Sequence, residues 1–264
     1  MAKQENDLGR DAIGKLVLRI AVPSMLAQFV SVLYSIVDRM YIGNIPVVGD
    51  VALAGVGVCG PVVTMVGSVA FLIGVGGAPL MSIKLGEKDE AGARRIMANC
   101  FLMLCVSSVA LMAAIYPLAR PMLLLFGASE ATLPYAMAYF TTYLLGTPFA
   151  LMATGLNQLI VCQGFARAGM KSILLGAVLN IVLDPVFIFA LDMGVQGAAI
   201  ATVLSQAVSA VWVLAFLLGK RTILRIKARC MAIRWNILLP VLGLGVSPFI
   251  MQSTESLLSV VLNT

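Results

Sequence analysis

Three acidic residues, Asp38, Asp184 and Glu255, sit inside long apolar runs of this sequence. A carboxylate at the centre of a bilayer costs about 2.5–3.5 kcal/mol on insertion scales, so each needs a partner or a task. Asp38 has Arg39 beside it and lies near the end of its run, so snorkelling or a local ion pair would account for it. Asp184 has no basic neighbour in sequence. Asn180 and Asp184 are spaced i and i+4, as are Tyr34 and Asp38, so each pair shares a helix face. A carboxyl group in a low dielectric favours its neutral form. Two that lie close together resist ionising at the same time. Such a pair can load a proton on one side of a membrane and release it on the other. With the amide of Asn180 and the hydroxyl of Thr202, the same pair can hold a sodium ion. Nothing in the residues chooses between the two ions.

Other chemistry is narrower. Two facing aspartates can activate water, as in an intramembrane aspartyl protease. That class typically carries a GxGD-like segment, and the LDPV at 183–186 is not one. There is no histidine, which removes zinc-protease motifs, Ser-His-Asp triads and histidine relays. The five cysteines (Cys59, Cys100, Cys105, Cys162 and Cys230) form no CxxC and read as reduced packing residues. No enzyme and no cofactor are expected.

The elements that must position these residues are membrane spans. Of the 264 residues 61% are hydrophobic, and 11% are charged against the roughly 25% of a soluble domain. Apolar blocks long enough to cross a bilayer recur, without the alternation of a β-barrel. Inside lipid every amide must be satisfied within its own segment, so the blocks are helices. The expected fold is all-α and polytopic, with seven spans near 16–42, 51–83, 94–116, 134–162, 171–191, 194–219 and 236–264. The first run lacks a cleavage site and reads as a retained helix rather than a signal peptide.

Charge orients the spans. Lys3, Arg10 and Lys15 precede the first, and Lys84, Lys88, Arg94 and Arg95 follow the second. Arg167 and Lys171 follow the fourth, and six basic residues lie between 220 and 234. The opposite connections hold only Arg120. The positive-inside rule therefore puts the N-terminus in the cytoplasm, and the net charge of +6 reflects topology rather than nucleic-acid binding. On this topology Asp38 and Asp184 lie in the outer half of the membrane, within ~5 Å of each other in height. Thr202 enters the next span at a matching depth. Two prolines, Pro23 and Pro185, read as kinks beside this cluster. Gly55, Gly74, Gly76, Gly77 and Gly197 read as close-packing positions. The 15 methionines read mainly as core or lipid-facing residues, although they can also line a promiscuous pocket.

The basic stretch 220–235 reads as an inter-domain linker, with 1–219 one six-helix lobe and 236–264 the start of another. A shift of 225 residues places Pro23 on Pro248, Ser31 on Ser256, Leu33 on Leu258 and Asp38 on Asn263. Internal repeats of this kind build many transporters. The seventh run reaches the last residue, so the chain is expected to be part of a protein of about twelve spans.

The stretches AVPSMLAQFVSVLYSIVDRMYIG (21–43), LGEKDEAGAR (85–94), NQLIVCQGFARAGM (157–170), LNIVLDPVFIF (179–189), GVQGAAIAT (194–202) and GVSPFIMQSTES (245–256) resemble the multidrug and toxic compound extrusion (MATE) family. The resemblance implies a twelve-helix exporter of two pseudo-symmetric lobes, monomeric at full length. It would expel drugs and organic cations across the inner membrane in exchange for protons or sodium. It also carries a cation site onto Asp38, Asn180 and Asp184, with Tyr34, Asn157 and Thr202 as neighbours and Pro23 as the kink proline. Counting along the spans puts Asn157 deeper toward the cytoplasm than the others. Glu255 falls near an acidic position that some members use in the second lobe. A lipid-linked oligosaccharide flippase of the wider superfamily is the alternative, and it would call for a more cationic cavity than Arg39 alone supplies. A fragment without activity of its own is a third reading, because one lobe cannot form the cleft between two.

Overall fold

The computed structural model describes residues 13–219, 222–226 and 234–263. Lys3, Arg10, Lys220, Arg221, Lys227, Arg229 and Cys230 lie outside them, as does the side chain of Asn263. The regular elements among the described residues are all helices: α1 (Ile13–Gly43), α2 (Gly49–Gly86), α3 (Glu90–Ile115), short α4 (Ala119–Leu125), α5 (Leu133–Val161), α6 (Ala166–Pro185), α7 (Gly194–Leu218) and α8 (Trp235–Asn263). Seven of these, all but α4, are long and apolar enough to cross a membrane. The expected spans are thus present, the fifth starting at Ala166 rather than 171 because Arg167 and Lys171 ride inside the helix.

Local signals set several ends. Asp89 caps α3 by accepting from the Gly92 amide at 2.8 Å. Arg94 and Glu90 pair at 2.9 Å one turn apart on the same helix. A proline occupies the first turn of α5, where its missing N–H leaves nothing unpaired. Pro185 ends the α-helical part of α6, and Val186–Ala190 continue as a π-helical turn in which the Leu191 amide bonds the Val186 carbonyl at 2.9 Å. Pro23 behaves differently, since α1 runs through it as one helix.

Two apolar cores are stacked along the bundle. One gathers Ile42, Cys59, Phe140, Leu144 and Ala198, and the other gathers Met81, Met97, Leu104, Leu156 and Leu217. Between them α5 packs on α7 and α2, and α1 packs chiefly on α6. α1 leaves much of its surface exposed, including Met25 and Phe29. Residues 222–226 and Arg234, the described parts of the connection after α7, are tied to the bundle. Gln163 Oε1 accepts from Thr222 Oγ1 at 2.9 Å and from the Leu224 amide at 3.0 Å, and Leu224 joins the second core. Asn99 Oδ1 accepts from the Arg234 amide at 3.0 Å just before α8. Cys59, Cys100, Cys105 and Cys162 are free thiols.

α8 lies along α2, and glycine makes the contact possible. A Cβ at Gly245 would fall on the Leu72 carbonyl, and one at Gly76 on the Val241 carbonyl. Further along, Ser256 Oγ donates to the Pro61 carbonyl at 2.6 Å. Small residues let helix backbones approach in lipid, where no hydrophobic force joins them. Gly245→Val should therefore lower the melting temperature of the purified chain, with a loss of about 1–3 kcal/mol from overpacking. Gly243→Ala, where the added methyl meets open space, should leave it unchanged or slightly higher.

Candidate cation site

Asn180 and Asp184 stand one turn apart on α6, at 2% and 0% exposure. Asn180 Nδ2 donates to Asp184 Oδ1 at 3.1 Å and to Thr202 Oγ1 of α7 at 3.3 Å. The amide thereby ties the carboxyl of α6 to the hydroxyl of α7. Asp38 arrives from α1, half-buried, with its carboxyl within hydrogen-bonding reach of that of Asp184. Tyr34, one turn before Asp38, lies beside both aspartates. Depth along the spans thus anticipates the meeting of α1, α6 and α7.

Three oxygens of this cluster, Asp38 Oδ1, Asn180 Oδ1 and Asp184 Oδ2, are buried with no hydrogen-bond donor among the described residues. Among the described residues neither aspartate has a basic nitrogen within 4 Å. Buried polar groups in folded proteins are nearly always partnered, so orphan acceptors on three neighbouring side chains are where a proton or a cation would be held. A proton between the carboxyls would satisfy two of them. A small hard cation could take all three, in keeping with its preference for oxygen.

The opposite wall comes from α5 and was not read from the sequence. Tyr139 and Tyr143 are buried, stacked with ring centroids 6.3 Å apart and planes 9° from parallel. Tyr143 is within hydrogen-bonding reach of the Gln206 side chain of α7, and Tyr139 lies near enough to Asp38 for their charges to interact. Their i, i+4 spacing was the available signal, as was the one-turn step from Thr202 to Gln206.

Other expected neighbours fall elsewhere. Asn157 is buried, but its Oδ1 lies against Gly169 in the first turn of α6. That is eleven residues, about 16 Å, short of Asn180. Pro23 is likewise not beside the carboxyls. It is fifteen residues, about 22 Å, from Asp38 along α1, at the other end of the helix. Pro185 does adjoin the cluster, where it coincides with the π-helical turn. Glu255 is exposed on α8, which packs on α2 and α3 rather than on α1 or α6.

The MatE family model matches residues 23–186, the segment that holds both aspartates and Asn180. The chain belongs to the MatE family. Its MatE segment also aligns with named proteins. The multidrug export protein MepA of Staphylococcus saprophyticus is 26% identical over 96% of this chain and 56% of its own length. An FAD transporter of Shewanella oneidensis is 26% identical over 78% of this chain and 46% of its own. A solved MOP-superfamily transporter from Pyrococcus furiosus superposes with a TM-score of 0.87 at 28% identity, covering 94% of this chain and 55% of the other. The chain spans about half the length of the relatives it matches. With seven apolar helices, this MatE chain is a multi-pass membrane protein.

The geometry is open to direct measurement. In a variant with the five native cysteines replaced by alanine, Asp38→Cys with Asp184→Cys should cross-link readily on mild oxidation. Asn157→Cys with Asp184→Cys should not.

Proposed function

We propose that the chain is the cation-coupling part of a secondary antiporter that exports small organic molecules, often cationic, in exchange for protons or sodium. The observation that carries this reading is the pair of facing carboxyls, Asp38 and Asp184, with donor-less oxygens inside a bundle of apolar spans. Asp38 and Asp184 hold the coupling ion, Asn180 orients Asp184, and Thr202 fixes Asn180. Tyr34, Tyr139 and Tyr143 wall the site with rings that exclude bulk water. The basic connections lie on the cytoplasmic side, so the ion enters from the outer half of the membrane.

The energetics fit exchange. Moving one charge down the membrane potential supplies about 2.3 kcal/mol per 100 mV, enough to bias a two-state equilibrium by more than tenfold. Binding of a cation on Asp38 and Asp184 removes their mutual repulsion and draws α1 toward α6. Release restores it and loosens α1, the most exposed of the helices that hold the site. A cationic cargo competes for the same negative charge, which links the two fluxes. The cargo is not carried over from the relatives, because MepA is named for drugs and the Shewanella protein for FAD.

In cells that express the gene, Asp38→Asn and Asp184→Asn should each abolish drug resistance and dye efflux, while Glu255→Gln leaves them near wild type. Efflux from inverted vesicles should collapse with either a protonophore or removal of the sodium gradient, and whichever acts identifies the ion. Intact efflux in both aspartate variants would overturn the assignment.

A further inference from the structure

A second feature lies far from the carboxyls, where the basic ends of α1 and α6 meet. A groove of about 610 Å³ runs between the two helices. Its walls are apolar, with Leu18, Val22 and Leu26 from α1 and Met170 from α6. Its end carries three cations, Arg19, Arg167 and Lys171. A second groove, of about 340 Å³, lies on the other flank of α6 between Leu174, Leu175, Val178 and Trp212 of α7. Lys171 lines both. The two grooves therefore fork from one charged point and straddle α6. From Arg19 to Leu26 and from Lys171 to Val178 each runs about 10 Å toward the middle of the membrane.

We propose that this fork holds one anionic glycerophospholipid from the leaflet at the basic end of the bundle. The phosphate sits on Arg167 and Lys171 with Arg19 beside them, and the two acyl chains lie on either side of α6. Charge and shape select this occupant. Among the described residues no acidic side chain lines either groove, and Arg167 and Lys171 have no carboxylate within 4 Å. Their ammonium and guanidinium groups are exposed at helix ends, at the level where lysine and arginine meet lipid headgroups. A free anion would gain nothing from the apolar walls, and a cationic cargo would be repelled at the fork. Trp212, 40% exposed, supplies an amphipathic ring of the kind enriched at membrane interfaces.

The test is native mass spectrometry of the purified chain after reconstitution in nanodiscs of equal phosphatidylglycerol and phosphatidylcholine. The chain should keep one phosphatidylglycerol and no phosphatidylcholine. The double variant R167Q/K171Q should lose at least about tenfold of that retention, as expected for two interfacial charges. Trp212→Ala should weaken retention without changing lipid preference, which a headgroup-only contact would not produce. Circular dichroism melting should show both variants folded, since all three side chains are at least partly exposed. Equal retention of the two lipids, unchanged retention in R167Q/K171Q, displacement by millimolar inorganic phosphate, or a lipid-free dimer seated on the groove would each overturn the proposal.

Discussion

Two acids that face each other in an apolar bundle cannot both be charged without a counter-ion, and much of this structure serves to keep them there. The first link is the Asn180 amide, which fastens Asp184 to α6 and reaches Thr202 on α7. The second is the packing of α1 on α6, which delivers Asp38 to the same point. The stacked tyrosines of α5 are buried in the same bundle. Removing water from such a site strengthens every electrostatic interaction inside it.

Stability and responsiveness are divided among the helices. α2, α5 and α7 bury large apolar side chains in two cores, and α5 packs on both of the others. α1 buries Ile42 in one core near its end but leaves most of its length exposed, and its main neighbour is α6. The helix that brings Asp38 is therefore less restrained by packing than α2, α5 or α7. Elements that move during function are drawn from the weakly packed parts of a fold.

Much of this was legible in the sequence because lipid is a simple solvent. Hydropathy alone places seven spans, since in a bilayer apolar length and helix length coincide. Counting residues from the span ends brings Asp38, Asp184 and Thr202 to one height, and the i, i+4 rule adds Asn180. The same counting already separated Asn157. What stayed hidden depends on rotation rather than height. Tyr139 and Tyr143 lie in a span that is apolar all round, and nothing in their spacing says which face turns inward. Pro23 reads as a partner of Pro185 because both are prolines in apolar runs. Only the course of α1 shows that they lie at opposite ends of the bundle. The laying of α8 along α2 is a contact between segments distant in the chain, encoded only by glycines that many helix pairs use.

The wide turn at Val186–Ala190 has a geometric consequence of its own. An α-helix advances about 100° per residue, so inserting one residue's worth of backbone re-phases everything beyond it. Past Asp184 the chain is turned so that Ile188 enters the outer core while Val186 and Phe189 look outward. The Phe187 backbone then abuts Gly197 near the start of α7. The azimuth at which α7 departs, and with it the direction in which Thr202 points, is thus inherited from a single looped-out peptide unit.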